Sequence, residues 1–568
     1  MKLPFREVWL CDTEYRANAG SRCHPVCLVA LEYFSRREIR LWWDELVALS
    51  SCPFSLGNDS LFIAYSAPAE FGTFLQLGWQ LPLRVLDLFA EFRALRNNTA
   101  QSEPSSLLDA MRHYGLSAID CGHKDSMREL ILNNEEYSAE ERVAILDYCA
   151  EDVYALAQLL PAMLSEIDLP RALFRGRYQC AVARMEFNGI PLDMETLPNL
   201  QNKWDSIKEK LVREIDSDFG VFDGLIFKRD RFADWLSRNN IAWPFLESGE
   251  LDLTEETFRE RAKADPRVAP LHELRVSLSK LKLNDLSVGE DGRNRASLMP
   301  FRSKTGRNQP SNTKFIFGPS TWIRGLIKPE EGRAIAYIDW SSQELGIAAS
   351  LSNDPAMIAA YEAGDFYLAF AKMAKAVPEN ATKGTHPAER EKFKVVSLGV
   401  LFGLSEHGLA SKLGVSVVEG KQLLRLHRQT FPQFWKWTEG VTMEGSLSGR
   451  LNTVFGWPIR VIGGFRTNTL KNFPVQGTGA DMMRLATCLT TEQSIQVCCP
   501  IHDALLIESL DEKIEEDVAI ARALMAEASR AILKTLTLRT DAKIVRFPER
   551  YMDPRGEIMW GRVNNLVS

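Results

Sequence analysis

No stretch of the 568 residues stays apolar for the ~20 positions a membrane-spanning helix needs. No cationic run followed by a long apolar segment precedes the first strand-like residues, Val8-Trp9-Leu10, so a secretory signal is not indicated. The 10 cysteines include no C-x-x-C pair and no nearby His-x₃-His spacing, which argues against a zinc ribbon and a disulfide framework and points to a reducing compartment. A basic excess is missing too. The formal net charge is −7, unlike that of proteins that coat nucleic acid non-specifically. Internal repeats and low-complexity tracts are absent, and the Gly/Pro-containing segments VGEDGRNR and VPENATKGTHP read as connections. These absences together lead to the expectation of a soluble cytoplasmic protein with no membrane partner.

What is present is ordinary globular composition, 45% hydrophobic and 25% charged, in a chain long enough for two to four domains with sizeable cores. Up to about residue 165, short apolar runs (CLVALEYF, LFIAYS, VLDLFAEF) alternate with helical stretches such as ERVAILDYCAEDVYALAQLL, the pattern of an α/β domain. A polar, helix-rich stretch follows from about Asp168 to Asp285. Between Arg275 and Arg333 there are twelve Lys/Arg against five Asp/Glu. That local excess reads either as a solvated basic face or as a surface that tracks phosphates.

Acidic residues interrupt the apolar runs at a few informative places. Asp339 closes the run Ala334-Ile335-Ala336-Tyr337-Ile338, and Asp503 sits inside PIHDALLIES. A carboxylate at the end of a buried strand is costly unless it is paired or metal-bound, and two that converge on a divalent cation suit phosphoryl or nucleotidyl transfer. Near the amino terminus, Asp12 and Glu14 have the D-x-E spacing that points both side chains to one side of a strand. In DYCAED, Tyr148 and Asp152 are one helical turn apart. In REKFKVVSLGVLFG, Arg390 and Lys394 stand four apart, and Leu398 and Phe402 continue their stripe with a drift of about 40° per step, so cations lead and apolar groups follow. Each of these alone is compatible with an ordinary turn, surface helix or packing residue.

From Thr305 onward the motifs resemble, in order, those of A-family DNA polymerases, the DNA polymerase I type: DWSSQE, REKFKVVSLGVLFG, NFPVQGTGAD and IHDA. The resemblance implies a right-hand fold of palm, fingers and thumb in which Asp339 and Asp503 bind the catalytic metals. It implies that Glu344 excludes a ribose 2′-hydroxyl, and that Arg390, Lys394, Leu398, Phe402 and Tyr367 lie at the incoming nucleotide. It places Arg307, Asn472, Gln476 and His502 on the primer–template. Four positions depart from the pattern. Ala504 follows Asp503 where Glu is usual, Tyr367 replaces a triphosphate-contacting His, Leu398 replaces Phe or Tyr, and Asn468 replaces an arginine.

The amino-terminal segment resembles the DEDD 3′→5′ proofreading exonucleases of tyrosine type, a ribonuclease H-like fold, with Asp12, Glu14, Tyr148 and Asp152 as site residues. AYSAPAEF puts Glu70 at the middle acidic position, and Ser66 where Asn is common. The fold class expected is therefore α/β multidomain. Its divisions are an exonuclease domain over 1–167, a connecting and thumb region over 168–300, palm over 301–352 and 451–568, and fingers over 353–450. The metal ligands implied are Asp339 and Asp503 in one site and Asp12, Glu14, Glu70 and Asp152 in the other, each holding two Mg²⁺ ions, or Mn²⁺ in their place. Expected partners are primer–template DNA and deoxynucleoside triphosphates, while a helicase or single-strand-binding protein is left unassigned. No segment remains for a 5′ nuclease, so the chain looks like bacteriophage replicative members of the family, which would place it in a host cytoplasm. The alternative is a 3′→5′ exonuclease whose polymerase-like region only binds DNA.

Overall fold

The computed structural model describes residues 3–99, 104–117, 121–246, 248–280, 283–462 and 467–567. These form two compact units, one of Met1–Gly189, Leu298–Gln309 and Ala336–Lys543, the other of Ile190–Ser297, Pro310–Ile335 and Ile544–Ser568. Among the described residues no helix is long and apolar enough to cross a membrane.

The first unit contains a five-stranded sheet in the order Glu38–Trp42, His24–Glu32, Glu7–Arg16, Ser60–Ala64, Val85–Asp87. The first three of these are antiparallel neighbours, and the last two run parallel to the central strand Glu7–Arg16. Both faces are covered, which is why the strands read as near-continuous apolar runs rather than alternating ones. Val8, Leu10, Val29, Leu61 and Ile63 pack with Ile145, Val153 and Leu156 of the helix Ala139–Leu164. Trp9, Cys11, Leu28 and Phe62 pack on the opposite side with Phe71 and Phe74 of the helix Pro68–Gln76. Period two carries this parity onward, so Asp12 and Glu14 continue the face that the Ala139–Leu164 helix covers.

The run VLDLFAEF is split at Asp87. Its carboxylate accepts from Phe89 N and Ala90 N, capping the helix Leu88–Arg96 where the strand Val85–Asp87 stops. That helix is tied to the helix Leu169–Asn188 by a buried two-pronged pair in which Arg175 Nε and Nη2 each lie 2.6 Å from a Glu91 carboxylate oxygen. The neighbouring Gly176 lets the helix close on the strand, since a Cβ there would fall 2.0 Å from Val85 O.

A four-stranded sheet has the order Gln496–Ile501, Ala504–Leu510, Arg333–Trp340, Thr540–Arg546, and its residues 336–340, 496–501, 504–510 and 540–543 belong to the first unit. The first two strands form a hairpin whose last pair is Ile501 with Ala504, leaving His502 and Asp503 as its two-residue loop. His502 has φ +54°, as the first loop residue of such a turn requires.

The second unit is largely helical and aromatic. Trp322 packs between Trp204 and Trp560, with centroid distances of 5.8 and 6.2 Å. Phe232, Trp243 and Phe258 form another cluster, and the Arg275 guanidinium stacks on it 3.9 Å from the Phe258 centroid. Much of the basic segment noted in the sequence is used internally here. Arg293 pairs with Glu330 at 3.0 Å, Arg295 with Asp291 at 2.6 Å, and Arg324 with Asp553. Arg302 and Lys304, in the first unit, are exposed.

Candidate functional site

Two acidic centres lie in the first unit. In the four-stranded sheet, Asp339 is the second-to-last residue of its strand and the last, Trp340, donates its N–H to Asp503 O at 3.1 Å, so a backbone hydrogen bond sets the strand end beside the hairpin loop. Burial raises the Asp339 carboxyl to about 6, and the nearby charges of Asp503 and Asp541 add to the rise. Asp503 is raised chiefly by burial, offset in part by His502 and Arg307. Asp541, on the neighbouring strand Thr540–Arg546, accepts a hydrogen bond from Ser341 Oγ. Ala504, the residue after Asp503, is fully buried and apolar.

Arg307 Nη2 lies 3.5 Å from Glu344 Oε1, so two residues assigned separate tasks by the sequence form a half-buried ion pair. Burial raises the Glu344 carboxyl, with Arg307 opposing. The loop bearing Arg307 is held on both sides. Arg484 Nη1 donates to Gly306 O at 2.7 Å, and Tyr178 Oη accepts from Asn308 Nδ2 at 2.8 Å. Arg484 is itself buried against Asp481, on the helix Thr467–Glu492. Asn472 and Gln476 share that helix, and Asn472 Oδ1 is a buried acceptor with no hydrogen-bond partner.

The helix Pro387–Leu401 presents the basic stripe. Arg390 pairs with Asp365, the cap of the helix Phe366–Met373, and its guanidinium carbon lies 5.4 Å from the Tyr367 centroid. Burial raises the Tyr367 phenol, with neighbouring Ser342 and the Arg390 charge opposing. Lys394 pairs with Glu391 at 3.2 Å, Leu398 is half-buried, and Phe402 caps the helix and is 43% exposed. Asn468 Nδ2 donates to Gly403 O at 2.9 Å, supporting the chain just after that helix end. A cleft of about 1060 Å³ is lined by Ser342, Asp365, Tyr367, Lys383, Arg390 and Asp541 among others.

The second centre gathers Asp12, Glu14, Glu70, Asp152 and Tyr148. Burial raises all four carboxyls, Glu14 to about 8, and their mutual repulsion pushes in the same direction at Asp12, Glu14 and Glu70. Cys149 Sγ donates to Asp12 Oδ2 at 3.3 Å, and burial raises the Tyr148 phenol. Ser66, where Asn is common, holds φ +75° with its N–H bonded to Asp87 Oδ1 at 3.1 Å. Lys124 Nζ stands 2.7 and 2.8 Å from the two Asp152 oxygens.

Among the described residues, no three His, Cys, Asp or Glu side chains already stand at the separations of a metal's ligand set. The donor chemistry nevertheless fits a hard divalent cation. Each centre offers only oxygen ligands whose charge is costly unless a cation is present, and buried Glu70 Oε2 has no hydrogen-bond partner.

The raised carboxyls set the pH response of the metal-free protein. Glu14 has an ordinary value of 4.5 and is held at about 8, so the folded chain binds more protons than the unfolded chain between those limits. The penalty of ionising it in the fold therefore grows as pH rises from 4.5 to about 8. In chelator, Glu14→Gln will raise Tm at pH 8.5 and change it little at pH 4.5. A Tm difference independent of pH would remove Glu14 from the cluster.

Lys124, Asp541, Arg484 and Asp481 were not singled out from sequence. The local signals were the i,i+4 spacing of Lys124 and Arg128 and the i,i+3 spacing of Asp481, the last residue of NFPVQGTGAD, and Arg484, while Asp541 carried none.

Residues 291–546 match the family model described as DNA polymerase family A. DNA polymerase I of Aquifex aeolicus is 27% identical over 442 residues, 71% of this chain and 75% of that protein. The thermostable DNA polymerase I of Thermus aquaticus is 27% identical over 376 residues, 61% of this chain and 44% of that protein, so the chain spans less than half of that relative. A solved structure titled as the POL domain of Pol1 from M. smegmatis in complex with DNA primer-template and dNTP superposes with a TM-score of 0.71 at 19% identity. It covers 96% of each chain, a likeness of fold.

Proposed function

We propose that this family A chain is a template-directed DNA polymerase that carries a 3′→5′ proofreading exonuclease in the same polypeptide. The observation that supports this best is the presence of two separate acidic centres. The hydrogen bond from Trp340 N to Asp503 O sets the strand end that bears Asp339 beside Asp503, and Asp12, Glu14, Glu70 and Asp152, at the five-stranded sheet, lie near enough for their charges to act on one another.

At the first centre, Asp339 and Asp503 would hold divalent magnesium or manganese, which supplies Lewis acidity toward the primer hydroxyl and the phosphates. Arg390 and Lys394 bind the triphosphate of the incoming deoxynucleotide by giving up Asp365 and Glu391 for stronger anionic acceptors. Leu398 and Phe402 offer the base an apolar surface, and Tyr367 orients Arg390 through its ring. Arg307, held by Arg484 and Tyr178, reaches the terminal base pair, with Asn472, Gln476 and His502 along the primer–template. Glu344, fixed against Arg307, stands where a ribose 2′-hydroxyl would go.

At the second centre, Asp12, Glu14, Glu70 and Asp152 would hold the metal, and Tyr148 orients the attacking water. The domain divisions follow the same reading. Residues 1–167 form the exonuclease, 168–300 the connection and thumb, 301–352 and 451–568 the palm, and 353–450 the fingers. Phage-like replicative use and replisome partners rest on the family resemblance alone.

The test is extension of a labelled primer by single deoxynucleotides. The reading requires that the added base follow the template and that ribonucleotides be rejected. Glu344→Ala will relax that rejection by about tenfold or more, equal to ~1.4 kcal/mol. Arg307→Ala will lower extension and relax sugar rejection together, because Glu344 loses its partner. Unchanged sugar selection in both variants would sink the assignment of this pair.

A further inference from the structure

We propose that Lys124 is a transferable counter-cation of the amino-terminal centre. It holds Asp152 while no metal is bound, and passes to a phosphate oxygen of the DNA strand once the carboxylates close on metal. The proposal rests on the exonuclease reading.

Lys124 and Arg128 lie four residues apart on the helix Cys121–Asn133, hence on one face, and that helix packs on the strand bearing Asp12 and Glu14. Both cations act on the Glu14 carboxyl. The Lys124 side chain is 20% exposed, contacts both oxygens of Asp152, and places its ammonium 5.9 Å from the Tyr148 ring centroid. Lys124 thus touches one desolvated carboxylate, Asp152, and acts on a second, Glu14, at the position an ion using Asp152 must share, while buried Glu70 Oε2 remains without a hydrogen-bond partner. An oxygen-seeking divalent ion that takes Asp152 displaces the ammonium within the site. An anionic phosphodiester oxygen is then the strongest acceptor within reach of a long, flexible side chain.

In the cleavage step, the water oxygen forms the new P–O bond and the bond from phosphorus to the 3′-oxygen breaks. One water proton ends on the departing 3′-hydroxyl and the other is released from the new phosphate monoester. Lys124 keeps its protons and offsets charge on the phosphate.

This arrangement requires two effects of opposite sign from one substitution. The experiment uses full-length protein with Asp339→Asn and Asp503→Asn in all samples, so that Mn²⁺ titration reads the amino-terminal centre. Lys124→Met will tighten Mn²⁺ binding by about tenfold, because competition for Asp152 is lifted. At saturating Mn²⁺ it will slow single-turnover shortening of a single-stranded oligonucleotide by about a hundredfold, because the phosphate loses its cation. Lys124→Arg will restore most of the shortening.

Unchanged or weaker Mn²⁺ binding in Lys124→Met would overturn the competition and leave Lys124 a packing residue. Wild-type shortening by that variant would overturn the phosphate contact. If the parent protein itself shortens nothing, the exonuclease reading fails and the phosphate contact fails with it, while the Mn²⁺ titration still decides whether lysine and metal compete.

Discussion

Replacing Asp339 by alanine will reduce primer extension by at least ~10³-fold, about 4 kcal/mol of transition-state stabilisation. Asp503→Asn will do the same, because the Trp340 N to Asp503 O backbone hydrogen bond sets the hairpin loop bearing Asp503 beside the strand end bearing Asp339, close enough for the Asp503 charge to raise the Asp339 carboxyl. Both variants will fold. Asp339 and Asp503 carry carboxyls that burial and neighbouring charge already push upward, so neutralising either removes repulsion from the metal-free fold. The checks are single-turnover incorporation of one deoxynucleotide and a melting curve in chelator. Loss of extension with an unchanged or raised Tm is the expected combination. A variant that extends within tenfold of wild type would show that the reaction does not pass through this centre. Ala504 bears on the same result. It contributes no acid, whereas Asp541 on the adjacent strand does add to the field at Asp339.

The largest effect on stability will come from Glu91→Ala. Glu91 and Arg175 are 2% and 7% exposed, and their two 2.6 Å contacts join the helix after the first sheet to the helix Leu169–Asn188. Removing the carboxylate leaves a buried guanidinium unpaired, which costs ~3–5 kcal/mol. In a unit of this size that corresponds to a fall in Tm of roughly 3–6 °C. Replacing both partners with apolar residues of similar volume, Glu91→Leu with Arg175→Met, will recover most of the loss, because no buried charge is then stranded. Thermal unfolding of the three variants checks this. A double variant no better than Glu91→Ala would mean that the pair contributes through geometry and not through mutual neutralisation.

The parts of the site legible in the sequence were those whose signal is local. Asp339 and Asp503 stood out because charge interrupts an apolar run, and Asp12 with Glu14 because period two puts both on one face. Tyr148 and Asp152 are one turn apart, and the structure places them over that same face. The run VLDLFAEF was ambiguous until Asp87 was seen to cap a helix, because a short apolar stretch carries no period that separates strand from helix. The basic stretch from Arg275 to Arg333 could be read two ways. Arg293, Arg295 and Arg324 turned out to be engaged with carboxylates of their own unit, which no count of charges reveals.

Other residues depend on long-range neighbours. Arg484 matters because it reaches Gly306 O, 178 positions away, and so steadies Arg307. Lys124 matters because the fold sets it against Asp152, 28 positions on. The pairing of Arg307 with Glu344 joined two roles that the motifs had kept apart.

The most direct test of the account is one gel with a 5′-labelled primer–template and Mg²⁺, run with wild type, Asp339→Ala and Asp12→Ala, each with and without deoxynucleotides. The account predicts that wild type lengthens the primer when nucleotides are present and shortens it when they are absent. Asp339→Ala will shorten but not lengthen, and Asp12→Ala will lengthen but not shorten. Loss of both activities in either variant would contradict two independent centres, and shortening with no lengthening by wild type would leave the chain a nuclease that only holds DNA with its polymerase-like region.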